Sequence, residues 1–192
     1  MSALAGAGTR GRLLAAGREL IEEGGYGAAP VVAIAERAGV AAGTLYRHFP
    51  SKADLFLEVF RSVCAGEERA MIAAADAAGP KAVDRLEAVL TTFARRALSN
   101  PRLAWALLAE PVDWLVDAER LAYRQRYAGV VARELRAAIQ AGEIPRQDVD
   151  FMAAALVGGC GEALVGPLSS VEGAEQIVTA IRSFVLRAIG AV

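Results

Sequence analysis

The sequence predicts an all-α protein, and three observations support that prediction. Apolar residues recur at helical spacing in one segment after another, from Leu13 to Ile189. Hydrophobic residues make up 55% of the 192-residue chain, with few of the alternating runs that are typical of strands. Glycine and proline separate the segments, as at Gly79-Pro80 and Asn100-Pro101. A chain of this length can bury a sizeable helical core in one large domain or two small ones.

A first helix is expected from Arg12 to Gly24, with Thr9 as a candidate cap. The stretch from Pro30 to Lys52 then predicts two short helices joined by a tight turn at Gly39, which supplies a left-handed residue. This is the helix-turn-helix layout, whose second helix enters the major groove of DNA. Its inward residues include Ile34, Ala35, Leu45 and Phe49, and its outward ones Thr44, Tyr46, Arg47 and His48.

Matching positions in this stretch form a dense, ungapped run: Ile34-Ala35, Ala38-Gly39-Val40, Gly43-Thr44-Leu45-Tyr46, His48-Phe49, Ser51-Lys52 and Asp54-Leu55. They resemble the DNA-binding domain of the TetR family of bacterial transcriptional regulators. The resemblance implies an N-terminal three-helix helix-turn-helix domain at residues 1–54. It also implies a larger C-terminal helical domain at residues 55–192 for effector binding and dimerisation. Beyond the first domain it covers the chain only as an all-helical architecture.

Further helices are predicted from the apolar periodicity and the breaks between segments. Ser51 is a good N-cap for a connecting helix, with Asp54 as its reciprocal partner three residues later. The predicted ranges are Ser51–Ala75, Ala82–Leu98, Arg102–Ala109, Ala118–Ala141, Gln147–Val165 and Glu172–Ile189.

The expected DNA contacts lie in the first 52 residues, which hold six Lys/Arg against four Asp/Glu, while the whole chain has a net charge of −1. Arg47 is the best candidate for reading a guanine edge. Lys52 lies at a helix N-terminus, where a cation is mildly unfavourable unless a phosphate is its partner. Ordinary solvated arginines remain an equal alternative for Arg10 and Arg12, and a structural role beside Phe49 remains one for His48. The full predicted set is Arg10, Arg12, Thr44, Tyr46, Arg47, His48 and Lys52.

The chain also departs from the family pattern at positions that usually carry polar side chains. Ala29, Val32, Ala41 and Ala42 stand where the resemblance leads us to expect caps or phosphate contacts. Fewer side-chain contacts to DNA are therefore expected. The alternative interpretation is a helical interaction protein of the same family whose DNA binding is weakened or lost.

In the family, a small molecule binds in the larger domain and changes the spacing of the two DNA-binding heads. An unknown hydrophobic or aromatic effector is expected here, because the candidate residues are mainly aromatic. Plain core packing is the alternative for these aromatics, and Arg95, Arg96 and Glu110 are further polar options. The candidate set is Phe93, Trp105, Trp114, Arg120, Tyr123, Arg124 and Tyr127.

The last two predicted helices suit a homodimer, which the resemblance implies and which matches a palindromic double-stranded operator. The first is apolar nearly all round, and the second has one apolar stripe. The predicted interface comprises Phe151, Ala154, Ala155, Gly158, Gly159, Glu162, Ile177, Ile181, Phe184 and Val185.

Other classes of protein are disfavoured. His48 is the only histidine, and there is no nucleotide-binding glycine loop, so an enzyme, a metal site or a cofactor is not expected. Cys64 and Cys160 are expected to be buried free thiols in a reducing cytoplasm. Residues 1–8 do not resemble a signal peptide, and Phe151–Leu168 is expected to be a buried helix rather than a membrane span. The sequence therefore predicts a cytoplasmic DNA-binding protein.

Overall fold

A computed structural model of the chain describes residues 8–169 and 173–191. Within those ranges the chain forms nine α-helices and one short 3-10 helix, and no strand, which confirms the all-α prediction. The α-helices are α1 (Thr9–Gly24), α2 (Val31–Arg37), α3 (Ala42–His48), α4 (Lys52–Ala77), α5 (Ala82–Ser99), α6 (Pro101–Leu108), α7 (Trp114–Gln140), α8 (Val149–Val165) and α9 (Ala174–Ala188).

Two helices start three or four residues earlier than predicted, α1 at Thr9 and α7 at Trp114. Thr9 is already helical and Gly8 is the N-cap of α1, so the predicted cap at Thr9 is wrong. Helix α7 begins at Trp114, because Asp113 accepts the backbone N–H of Leu115 at 3.0 Å and so caps the helix. The predicted start of the last helix at Glu172 lies outside the described residues.

Contacts divide the described chain into two compact units. The N-terminal unit contains the residues up to Val63 together with Arg102–Glu119, and the C-terminal unit contains Cys64–Pro101 and the residues from Arg120 onward. This division differs from the predicted boundary after residue 54. Helix α4 runs without interruption through that position, and α6 groups with the N-terminal helices.

The N-terminal unit has its own apolar core. Its buried side chains come from α1 to α4 and include Leu13, Ile21, Ile34, Ala35, Leu45, Phe49, Leu55, Phe56 and Phe60. Helices α1 and α4 approach closely because Gly17 has no side chain: a Cβ there would lie 2.6 Å from a methyl carbon of Leu55. The α2–α3 pair is thus held against α1 and α4 by a shared core.

The predicted cap of α4 is confirmed. Ser51 Oγ accepts the backbone N–H of Asp54 at 3.1 Å, and the Ser51 hydroxyl donates to Asp54 Oδ2 at 2.7 Å. This exchange fixes the chain where α3 ends and α4 begins.

In the C-terminal unit, apolar side chains of α5, α7, α8 and α9 form the core. Glu134 is 3% exposed and binds Arg85 and Arg133, each at 2.7 Å, so the buried carboxylate is paired.

Cys64 and Cys160 are buried free thiols, as expected, and burial raises the pKa of Cys160 to about 11. Among the described residues no helix is long and apolar enough to cross a bilayer.

Glu143 stabilises the start of α5 by accepting two consecutive backbone N–H groups, from Ala82 at 3.1 Å and Val83 at 2.8 Å. The hydrogen bond from Val83 is the main reason why the pKa of Glu143 lies below 4.5. We expect Glu143→Gln to lower the free energy of unfolding by about 1 kcal/mol at neutral pH, a modest figure because the carboxylate is solvent-accessible.

A depressed carboxylate pKa contributes stability above the unfolded-state value, and that stability is lost as the pH falls through the folded-state value. The unfolding free energies of wild type and Glu143→Gln should therefore converge below pH 4.5. Urea unfolding at several pH values measures this. A difference that persists unchanged in acid would contradict the assigned role of the carboxylate.

Candidate nucleic-acid interface

The turn between α2 and α3 is built by local backbone hydrogen bonds. Gly39 has φ +67°, and its N–H donates to Glu36 O at 3.0 Å, while the N–H of Val40 donates to Ala35 O at 3.0 Å. The left-handed residue at Gly39 lets these bonds close the end of α2. The predicted turn residue is confirmed, and α3 leaves the turn with Leu45 buried against the core.

Helix α3 presents a polar outer surface at its C-terminal end. Tyr46 is 57% exposed, and Arg47 and His48 are exposed beside it. Thr44 is half-buried. These four side chains carry hydroxyl, guanidinium and imidazole donors, which are the groups that contact phosphates and base edges.

Ion pairs neutralise much of the acidic charge in this unit. Arg37 donates to both carboxylate oxygens of Glu23, at 2.5 and 2.9 Å, and Arg18 donates to Glu22 at 2.7 Å. The hydrogen bond with Arg37 lowers the pKa of Glu23, so this pair stays charged at neutral pH. In the part of the chain that the structure describes, Arg47 forms no ion pair with an acidic residue.

The two arginines at the start of α1 differ. Arg10 pairs with Glu58 and lies over the Phe49 ring, 4.8 Å from its centroid. Arg12 forms no ion pair within residues 8–169 and 173–191 and lies beside the turn, since a Cβ at Gly39 would be 3.8 Å from its Nη1. Arg12 is therefore better placed than Arg10 to contact a ligand without breaking an existing pair.

Lys52 has a partner within the protein. Its Nζ donates to Tyr26 O at 2.6 Å and lies 3.8 Å from the centroid of the Tyr26 ring. Burial lowers its pKa, against the opposing effect of the Glu110 carboxylate. The cation at the start of α4 thus has a partner within the protein, and a phosphate is not needed to explain it.

The predicted losses of polar groups are visible in the helix termini. The N-caps of α2 and α3 are Pro30 and Ala41, and neither supplies a side-chain hydrogen bond. Val32 is 56% exposed on the outer face of α2. The surface around α3 therefore combines a few strong donors with apolar positions.

The predicted effector residues do not all fall in one unit. Trp105 and Trp114 belong to the N-terminal unit, and Trp114 is 74% exposed. Phe93, Tyr123 and Tyr127 lie together in the C-terminal unit, with ring centroids 5.8 Å apart for Phe93–Tyr127 and 6.0 Å for Tyr123–Tyr127. The two tryptophans therefore lie in a different unit from the other three aromatic candidates.

These three aromatic residues form a closed cluster. The Tyr127 hydroxyl donates to Cys64 O at 3.0 Å, and burial is the main cause of its raised pKa. Arg126 lies over the Tyr123 ring at 4.9 Å, whereas Arg124 is exposed and Arg120 half-buried. Tyr127 packs against both Phe93 and Tyr123, and the two tyrosines are buried while Phe93 is half-buried.

Helices α8 and α9 keep an exposed apolar surface. It contains Phe151, 71% exposed, and Phe184, 45% exposed, whose ring lies close to Gly159. Ile181 and Val185 are 3% and 0% exposed and pack inside the chain, so their assignment to the interface is wrong. The remaining predicted interface residues, which are exposed or half-buried, are Ala154, Ala155, Gly158, Gly159, Glu162 and Ile177.

In the N-terminal unit, Glu110 has a structural role that the sequence did not predict. Glu110 was expected only as a polar option for an effector, but it binds the backbone of Tyr26 and Gly27 at 2.8 and 3.0 Å. The partners are more than 80 positions apart in the sequence, and no local motif signals such a pairing.

Known proteins resemble both the sequence and the fold. The family model described as bacterial regulatory proteins, tetR family, matches residues 13–59. The HTH-type transcriptional repressor KstR2 of Rhodococcus jostii (strain RHA1) is 32% identical over 154 residues, 74% of this chain and 71% of KstR2. KstR of the same organism is 38% identical over 99 residues, 51% of this chain and 45% of KstR. The chain spans about half the length of the KstR relatives that it matches.

The fold is shared with a solved regulator. The crystal structure of transcriptional regulator FadR from Bacillus subtilis in complex with stearoyl-CoA has a TM-score of 0.76. The two sequences are 22% identical, and the match covers 94% of this chain and 98% of that chain.

Proposed function

The chain belongs to the TetR family of bacterial regulatory proteins, which are transcriptional regulators and not enzymes, and we propose that it is a ligand-responsive repressor. It binds a palindromic double-stranded operator as a homodimer and is released by a hydrophobic small molecule. The N-terminal helix-turn-helix binds DNA, and the C-terminal helices bind the effector and form the dimer. The relatives KstR and KstR2 are named as repressors, which supports repression.

The observation that carries the proposal is the outer end of α3. Tyr46, Arg47 and His48 are exposed together there, on a helix fixed by the turn at Gly39 and by the buried Leu45. Arg47 reads a base edge, while Tyr46, His48 and Thr44 donate to phosphates. Arg12 adds a phosphate or minor-groove contact at the start of α1.

A homodimer gives the exposed surface of α8 and α9 a partner. Phe151 and Phe184 are large apolar side chains that a single chain leaves in water. A two-fold copy covers both, and Gly158 and Ala154 allow the paired helices to approach closely. Two-fold symmetry also presents two copies of α3 to the two halves of a palindrome.

The effector enters the C-terminal unit at the cluster of Phe93, Tyr123 and Tyr127. The polar groups of the cluster are the hydroxyls of Tyr123 and Tyr127 and the Arg126 guanidinium that lies over Tyr123. A hydrophobic molecule with one polar end fits this composition. It releases DNA only if it binds more tightly to the conformation that fits the operator poorly.

A second candidate function is an interaction protein with weakened DNA binding. Helices α2 and α3 have no side-chain cap, and Lys52 has a partner within the protein. Each of these features removes an expected phosphate contact and therefore favours the second function. The two candidates differ in measurable affinity. If DNA binding is weakened, the affinity for DNA should fall only slightly as the salt concentration rises, and no DNA sequence should be preferred.

Fluorescence anisotropy with labelled DNA from upstream of the chain's own gene tests the proposal. We expect saturable binding that a shuffled fragment of equal length does not compete away, and release when stearoyl-CoA, the ligand named in the FadR structure, is added as the first probe. Binding without sequence preference would favour the weakened form. If the protein binds this DNA specifically and stearoyl-CoA does not change the affinity, the proposed regulatory function stands and this thioester is excluded as the effector.

A further inference from the structure

A carboxylate that follows α6 holds the connection between α1 and α2. Glu110 Oε2 accepts the backbone N–H of Tyr26 at 2.8 Å, and Oε1 accepts that of Gly27 at 3.0 Å. Gly25 has φ +84°, which favours glycine, and a Cβ there would lie 3.1 Å from Oε2, a tight contact. Two charge-assisted hydrogen bonds thus fix one short stretch of backbone.

Lys52 also binds Tyr26, through the Tyr26 carbonyl and ring. Its Nζ donates to Tyr26 O at 2.6 Å and lies over the Tyr26 ring, whose edge packs on Phe56 at a centroid distance of 4.9 Å. The N–H, the carbonyl and the ring of Tyr26 are therefore all occupied. Glu110 binds the first of these groups and Lys52 binds the other two.

The position of these contacts in the chain gives them their importance. Tyr26 lies just before α2, and Lys52 is the first residue of α4, just after α3. The contact between them therefore closes the chain around the whole α2–α3 pair. Glu110 fixes that closure from outside the pair, and all three residues belong to the N-terminal unit.

We propose that Glu110 is a positioning residue for operator binding, which holds Tyr26, and through it Lys52, so that α2 and α3 keep the geometry that DNA requires. This inference rests on the proposed function. Glu110 itself touches no DNA and acts only through the backbone of Tyr26 and Gly27. An anion in a DNA-binding unit repels phosphates, so the loss of its charge alone would strengthen binding. Positioning predicts the opposite sign.

The test compares operator binding by wild type, Glu110→Gln and Glu143→Gln. Glutamine keeps one acceptor oxygen and cannot bind two N–H groups in the same way. Glu143 is a matched control, because it also accepts two consecutive backbone N–H groups but lies in the C-terminal unit. At a temperature at which all three proteins are fully folded, we expect Glu110→Gln to bind operator about tenfold more weakly, since a charge-assisted hydrogen bond is lost. Glu143→Gln should bind like wild type.

Two further measurements separate positioning from a general loss of structure. Amide hydrogen exchange by NMR should show lost protection at Tyr26 and Gly27 in Glu110→Gln, with the helices unchanged. The double variant Glu110→Gln/Lys52→Gln should bind operator as tightly as whichever single variant has the lower affinity. The two losses should not add, because both substitutions act on Tyr26.

Operator binding by Glu110→Gln that equals or exceeds that of wild type would overturn the inference alone. An equal loss in Glu110→Gln and Glu143→Gln would also overturn it, since the effect would then be general. A wild-type protein that binds no operator would overturn the proposed function, and the inference with it.

Discussion

Arg47→Ala should weaken operator binding by roughly 1–3 kcal/mol for each half-site, which is a factor of about 5 to 150. Arg47 is exposed at the end of α3 and forms no ion pair in the described chain, so its guanidinium is available to a base edge. The variant should fold normally, because the side chain supports no buried contact. Anisotropy titration at fixed salt measures the change.

Two companion variants identify the kind of contact that is lost. Arg47→Lys keeps the charge but not the planar fork of donors, so it should bind more weakly than wild type if Arg47 reads a base. Arg18→Ala is the control, because Arg18 is an exposed arginine already paired with Glu22. Full binding by Arg47→Lys would assign the residue to a phosphate instead.

Phe151→Asp should give a monomer that binds operator far more weakly than wild type. Burial of an exposed phenylalanine contributes about 1.5–3 kcal/mol, and a two-fold interface counts the side chain twice, so roughly 3–6 kcal/mol of dimer stability is at stake. A charge in the interface adds to the loss. Sedimentation at micromolar concentration measures the oligomeric state, and anisotropy measures the binding.

Leu121→Asp is the matched control for this change. Leu121 is also a large exposed apolar residue, 58% exposed, but it lies on α7 and outside the proposed interface. It should sediment as wild type does. If Phe151→Asp is still a dimer, or if the wild type is a monomer, the proposed dimer interface on α8 and α9 is wrong.

The sequence predicted those features that depend on neighbouring residues. The turn at Gly39 and the cap formed by Ser51 and Asp54 follow from residue types a few positions apart, and both are confirmed. The cap by Asp113 has the same kind of local signal, but the predicted helix starts only at Ala118.

Other features depend on contacts between distant segments. The carbonyl partner of Lys52 on Tyr26 lies 26 positions earlier, and no local sequence pattern indicates this contact. Ile181 and Val185 share a helical stripe with Phe184, and periodicity alone does not decide which part of a stripe enters the chain's own core. The contact of Glu110 with the α1–α2 connection was missed for the same reason.

A hydroxyl-radical footprint of the wild-type protein on DNA from upstream of its gene tests the central claim most directly. We expect protected backbone in two patches related by two-fold symmetry, about one helical turn of DNA apart or a multiple of it, because each copy of α3 enters one major groove. Absence of protection, or a single asymmetric patch, would contradict an operator-binding homodimer.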